Sequence, residues 1–129
     1  MSYTFPKEEK LKNKKAIEKL FAEGKSFSHF PIRIVYRENE LMMNRVAISV
    51  SKKHFKHAVD RNLYKRRMRE AYRLNKSILL EKSTTYDLMF LFLSKEKTSY
   101  DTIEQALQKV LRRLISISDS LEVDQLSRK

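Results

Sequence analysis

Apolar residues recur at three- and four-residue steps in some stretches of this chain and alternate with polar ones in others, and these periods set the expected elements. Asn13 is an N-cap residue; after it Ala16, Ile17, Leu20 and Phe21 repeat at helical spacing, and Gly24 stands where helices commonly stop, so a first helix is expected over 13–23. Residues 30–37, FPIRIVYR, alternate, with Phe30, Ile32, Ile34 and Tyr36 on one side and Arg33 and Arg37 on the other. That is the pattern of a half-buried strand, and Pro31 falls near its start, where a missing N–H costs least. Val46, Ile48 and Val50 alternate with Arg45, Ala47, Ser49 and Ser51 in a second such run, which Leu41–Met43 either extend or precede as a short strand. Residues 58–76, AVDRNLYKRRMREAYRLNK, contain no Gly or Pro and predict one helix. YDLMFLFL, 86–93, is almost continuously apolar, as suits a strand covered on both faces. Thr98 with Asp101 three residues on makes a capping-box-like start. A last amphipathic helix then follows through Ile103, Ala106, Leu107, Val110, Leu111, Leu114 and Ile115. Residues 1–12 and 117–129 lack such a pattern and are expected to be loosely held. The whole chain, 1–129, reads as a single α+β domain, one sheet of about four strands packed with three helices.

Charge changes this picture most in the helix expected over 58–76. Arg61, Lys65, Arg66, Arg67, Arg69 and Arg73 face a single acid, Glu70, between residues 61 and 73. At about 100° per residue, Arg61, Asn62, Lys65, Arg66, Arg69 and Arg73 fall within an arc of roughly 140°, next to a flank formed by Tyr64, Met68, Ala71 and Tyr72. One flank suits a core and the other a polyanion. Crowded cations repel one another, so a compact Arg-rich stripe calls for a use, and the planar guanidinium can grip a phosphate or stack on a base. Lys52 and Lys53 close a strand beside the entry to this helix and extend the same patch.

The chain as a whole agrees. It has 129 residues, 28 basic and 16 acidic, for a formal charge of +12, which points first to nucleic acid as partner and second to an anionic membrane surface. No apolar run reaches bilayer-spanning length and no secretory signal pattern opens the chain, so a soluble protein of the cytoplasm is expected. The absence of cysteine excludes disulfides, thiolate metal sites and cysteine nucleophiles, and a single glycine leaves no glycine-rich phosphate loop. His54 and His57 are three residues apart, but no carboxylate group completes a metal site, and no serine nucleophile carries a signature, so neither a protein active site nor a protein metal site is expected.

The pieces Ile48-Ser49-Val50-Ser51-Lys52-Lys53, Ala58-Val59, and Arg61-Asn62 with Lys65-Arg66 and Arg69-Glu70 resemble, in order and spacing, the protein subunit of bacterial ribonuclease P. The resemblance spans residues 8–117 and is densest over 46–73. It implies a fold similar to the second domain of ribosomal protein S5, with a left-handed βαβ crossover where general chirality would make it right-handed. It also implies an accessory role beside a catalytic RNA, which with bound Mg2+ removes the 5′ leader of precursor tRNA; no organic cofactor and no obligate protein partner are implied. Residue by residue, Arg61, Asn62, Lys65, Arg66 and Arg69 match the family's RNA-contacting motif, and Lys52, Lys53, Arg67 and Arg73 extend it. Phe21, with Ile17, matches the first-helix part of a leader-binding cleft, and Ile34 with Tyr36 its strand, although by spacing alone Phe21, Ile34 and Tyr36 read as core residues. Three positions depart from the family pattern: Leu63 replaces an Arg, Ile17 a second Phe, and His54-Phe55-Lys56-His57 a shorter Gly–Asn loop.

Two other readings fit parts of the chain. An S5-like or ribosome-associated RNA-binding protein would share the fold and the basic surface but have no processing role. A leucine-zipper basic region would need heptads after the basic helix, whereas the apolar residues Leu74, Ile78, Leu79 and Leu80 stop at Glu81 and a strand follows.

Overall fold

A computed structural model describes residues 9–127, with side chains through residue 116. Helix α1 (Lys14–Glu23) begins where the Asn13 side chain accepts from the N–H groups of Lys15 and Ala16, at 2.9 and 3.3 Å. It stops at Gly24, but not through the left-handed conformation usual at such a stop: Gly24 has φ −76° and ψ 161°, ordinary extended backbone. Glycine is needed there for space, because a Cβ would lie 2.3 Å from the carbonyl oxygen of Leu20 and 3.0 Å from that of Tyr36. The chain then turns directly into β1 (Lys25–His29) and, through Phe30 and Pro31, into β2 (Ile32–Asn39). After β3 (Arg45–Val50) come α2 (Ala58–Asn75), a 3-10 turn over Lys76–Glu81, β4 (Thr85–Phe92) and α3 (Tyr100–Ser127).

The four strands form one sheet in the order β1-β2-β4-β3, antiparallel except for the parallel pair β3 and β4, which α2 connects. The α+β class with one sheet and three helices is as expected. Four local readings are corrected. β1 was not anticipated, since KSFSH carries one large apolar residue, Phe27, and gives no alternation to detect. Residues 41–43 form a turn rather than strand, with Met42 at φ 63°. Ser99, not Thr98, caps α3, its Oγ accepting from the N–H of Thr102 at 3.2 Å. Part of the amino-terminal stretch is docked: Leu11 is buried and its N–H donates to the carbonyl of Val46 at 2.8 Å, while Lys76 pairs with Glu9 at 2.9 Å. Residues 1–8 lie outside the described residues, and α3 continues past Ser116, where its apolar repeat ends, to Ser127.

Because strand side chains alternate, the register sorts the sheet into two faces. Ile32, Ile34 and Tyr36 stand level with Phe92, Phe90 and Leu88, and Val46 and Val50 complete that face; α2 and α3 cover it with Tyr64, Met68, Tyr72, Leu107 and Leu111. This is the main core, and each fully buried Leu or Phe in it contributes about 1.5–3 kcal/mol. On the opposite face Val35 and Met89 meet Leu20 and Leu11, with Ala16, Ile17, Ala47 and Leu91 packed around them. The sheet is therefore sandwiched, with α1 on one side and α2 and α3 on the other.

A buried polar network fixes the end of the sheet beneath α1. Asp87, only 3 % exposed, accepts from Nε and Nη2 of Arg45, both at 2.8 Å, and from the Asn39 amide at 2.9 Å. Asn39 in turn accepts from the Thr85 hydroxyl at 2.7 Å, and Asn44 from the N–H of Tyr86 at 2.7 Å, so the β2–β3 turn is tied to β4 by side chains. A buried carboxylate is tolerated here because a two-pronged guanidinium and an amide share its charge.

Candidate nucleic-acid interface

Tyr64, Met68, Ala71 and Tyr72 turn α2 onto the sheet, and this rotation decides where its cations go. Arg67 and Asn75 mark the flank facing α3: Arg67 Nη1 donates to the carbonyl of Thr98 at 2.6 Å, and the Asn75 amide donates to Glu104 at 3.0 Å. The opposite flank looks past β3, an edge strand, and carries Asn62, Lys65 and Arg69, with Arg66 beside them on the outer side of the helix. Among the described residues none of these four side chains has a hydrogen-bond or ion-pair partner. Lys52 and Lys53 are exposed where β3 ends, and Lys56, which the sequence reading passed over, adds a third exposed lysine in the loop to α2. Its signal was available: it lies between two histidines in a basic loop at the helix entry.

Three of the expected contact residues have internal work. Arg61 Nη1 donates to the carbonyls of Phe55 and Lys56, both at 2.8 Å, closing the 51–57 loop onto the first turn of α2, which has no side-chain cap of its own. Arg73 grips Glu70 through Nε and Nη2 at 3.1 and 2.5 Å, and holds that carboxyl below its ordinary range. Arg67 lies across the helix from the stripe, its guanidinium 5.6 Å from the centre of the Tyr64 ring. The open donors are thus concentrated on Asn62, Lys65, Arg66 and Arg69.

The cleft residues divide. Phe21 is 51 % exposed, and Ile17, one turn earlier on the same side of α1, is half-buried against the smaller apolar cluster. Ile34 and Tyr36 are corrected: they are 0 % and 9 % exposed and face the main core, where Tyr36 meets Phe27 and Tyr86 edge-on at 5.7 and 6.1 Å. The strand residue beneath α1 is Val35. Where α1 leaves the sheet open on that face, Arg33, Leu91 and Ser49 stand level with one another, and Arg33 donates to the Ser26 hydroxyl at 3.0 Å. A cation, two serine hydroxyls and apolar surface thus line a strip beside Ile17 and Phe21. Such a strip suits an extended polyanionic strand with exposed bases. Among the described residues no three His, Cys, Asp or Glu side chains group as metal ligands, and no helix is long and apolar enough to cross a membrane.

A family profile described as Ribonuclease P matches residues 5–115. The chain belongs to the ribonuclease P protein family. Ribonuclease P protein components of Porphyromonas gingivalis and Clostridium botulinum are 38 % and 36 % identical to it, covering 88 % and 83 % of this chain and 88 % and 95 % of theirs. Among solved structures, the ribonuclease P proteins of Staphylococcus aureus and Thermotoga maritima superpose with TM-scores of 0.71 and 0.70 at 25 % and 27 % identity. These cover 82 % and 81 % of this chain, and 94 % and 96 % of theirs. Ribonuclease P membership makes the chain the protein component of a ribonuclease.

Proposed function

We propose that the protein binds the catalytic RNA of ribonuclease P through the open stripe of α2 and guides the 5′ leader of precursor tRNA along the α1 face of the sheet. The stripe carries the first half: Asn62, Lys65, Arg66 and Arg69 coincide with the family motif and have no partner of their own among the described residues. Cations left without acids have maximal free energy to gain from phosphate, and a neutral Asn between them can read a base or sugar edge. Phe21 and Ile17, with Arg33, Leu91 and Ser49 beside them, support the second half. Here Arg33, Leu91 and Ser49, on the α1 face of the sheet, take the place that Ile34 and Tyr36 hold in the motif-based assignment.

Hydrolysis of the phosphodiester belongs in this reading to the RNA and to Mg2+. Asn62 is the single neutral oxygen donor among the cations of the stripe, so the protein surface does not fit as a site for the ion; RNA phosphates do. The protein raises local affinity for substrate and screens phosphate repulsion between two RNAs.

A ribosome-associated RNA-binding role would need the same stripe, and the partner distinguishes the two. Purification of the tagged protein from its source cells, followed by sequencing of bound RNA, is expected to return one structured non-ribosomal RNA together with 5′-extended tRNAs. Recovery of ribosomal RNA alone would overturn the proposal.

A further inference from the structure

Beside the stripe, on the outer side of α2, a cleft of about 440 Å3 opens between α2 and the start of α3. Its walls are Arg66, Arg67, Glu70, Leu74 and Tyr100. Leu74 is 38 % exposed although its neighbours Ala71 and Tyr72 are buried, and Tyr100 is half-buried, its hydroxyl reaching Glu104 at 3.4 Å. The cleft therefore offers a flat aromatic and an aliphatic surface to solvent. Its rim is cationic: Arg66 has no partner among the described residues, Arg67 is pinned to Thr98, and the carboxylate of Glu70 is neutralised by Arg73. Arg66 belongs to the stripe and to the cleft at once.

We propose that this cleft receives one unpaired nucleobase of the RNA partner, with the phosphate of the same nucleotide held by Arg66. This inference rests on the RNA-binding reading of α2 and adds to it an apolar, base-holding contact beside the polar contacts of the stripe. An apolar peptide would leave the cationic rim without a counter-charge, and a bare phosphate would leave Leu74 and Tyr100 uncovered; a nucleotide satisfies both. The contact is tolerant of base identity because every base has a π-face.

The test uses the full chain and a ribonuclease P RNA. Leu74→Ala and Tyr100→Leu remove apolar or stacking surface without removing charge. Each is expected to weaken binding roughly tenfold with an unchanged salt slope, where Arg66→Ala makes the slope shallower. Probing the Watson–Crick edges of the RNA at saturating protein is expected to show a base that the unaltered protein protects and that becomes reactive with either variant. Leu74 is partly exposed, so its variant keeps the test decisive if Tyr100→Leu fails to fold. Unaltered affinity and protection in both variants would overturn the cleft proposal while leaving RNA binding by α2 intact. Failure of the unaltered protein to bind any ribonuclease P RNA would overturn both.

Discussion

At the scale of single residues, what separates the cations of α2 is whether a partner is already in place. Arg61, Arg67 and Arg73 are spent on loop carbonyls, on Thr98 and on Glu70, whereas Arg66 has no partner among the described residues. Arg66→Ala is accordingly expected to leave stability nearly unchanged and to weaken RNA binding by about 1–3 kcal/mol, with a shallower salt dependence. Titration with labelled RNA at several salt concentrations checks this, and an unchanged slope would move the RNA off this face. A second residue reports on the core. Burial, with the nearby Glu9 charge, raises the Tyr72 phenol above its ordinary 10.0. A raised folded value means that the stability it supports is intact below about pH 10 and is lost as pH climbs above it, because only the unfolded chain then ionises freely. Urea unfolding between pH 8 and 11 is expected to show a steeper alkaline fall for the unaltered protein than for Tyr72→Phe; equal falls would contradict the burial of this phenol.

Elements explain where the sequence was legible and where it was not. α1, β3 and the body of α3 are legible because each has one dominant period, β4 because it is an almost unbroken apolar run, and α2 because it holds no Gly or Pro. β1 was hidden, since it is held by its pairing to β2 and by the abrupt exit at Gly24 rather than by its own side chains. The stripe on α2 was visible as an arc, but which of its arginines stay open was not, since Phe55, Lys56 and Thr98 meet it only after folding. In β2 a step of one residue reverses the face, so Ile34 and Tyr36 lie in the main core while Arg33, one position away, is exposed on the α1 face. Val35 was itself the clue, an apolar residue on the side otherwise held by Arg33 and Arg37, which signals a second covered face. The two faces predict opposite phenotypes. Tyr36→Ala is expected to cost about 3–5 kcal/mol of stability, as removal of a buried aromatic does. Phe21→Ala is expected to change stability by about 0.5 kcal/mol or less, and to weaken binding of a tRNA carrying a 5′ extension more than of one without it. Denaturant unfolding and paired binding titrations separate these outcomes, and equal losses for the two tRNAs would remove Phe21 from the leader path.

For the whole molecule, a formal charge of +12 is spread on a fold whose carboxylates are partly committed internally: Asp87 to Arg45, Glu70 to Arg73, Glu9 to Lys76. The surplus is left to act outward, over a scale of about 10 Å at moderate salt, which suits a protein that brings two polyanions together. Under the proposed function, such a protein would lower the ion concentration needed for RNA assembly. The most direct measurement is cleavage of a precursor tRNA by a bacterial ribonuclease P RNA at low Mg2+, with and without the protein. Removal of the 5′ leader is expected to rise when the folded protein is added and to be absent with protein alone. No stimulation at any Mg2+ concentration, or leader removal by the protein in the absence of RNA, would contradict the account.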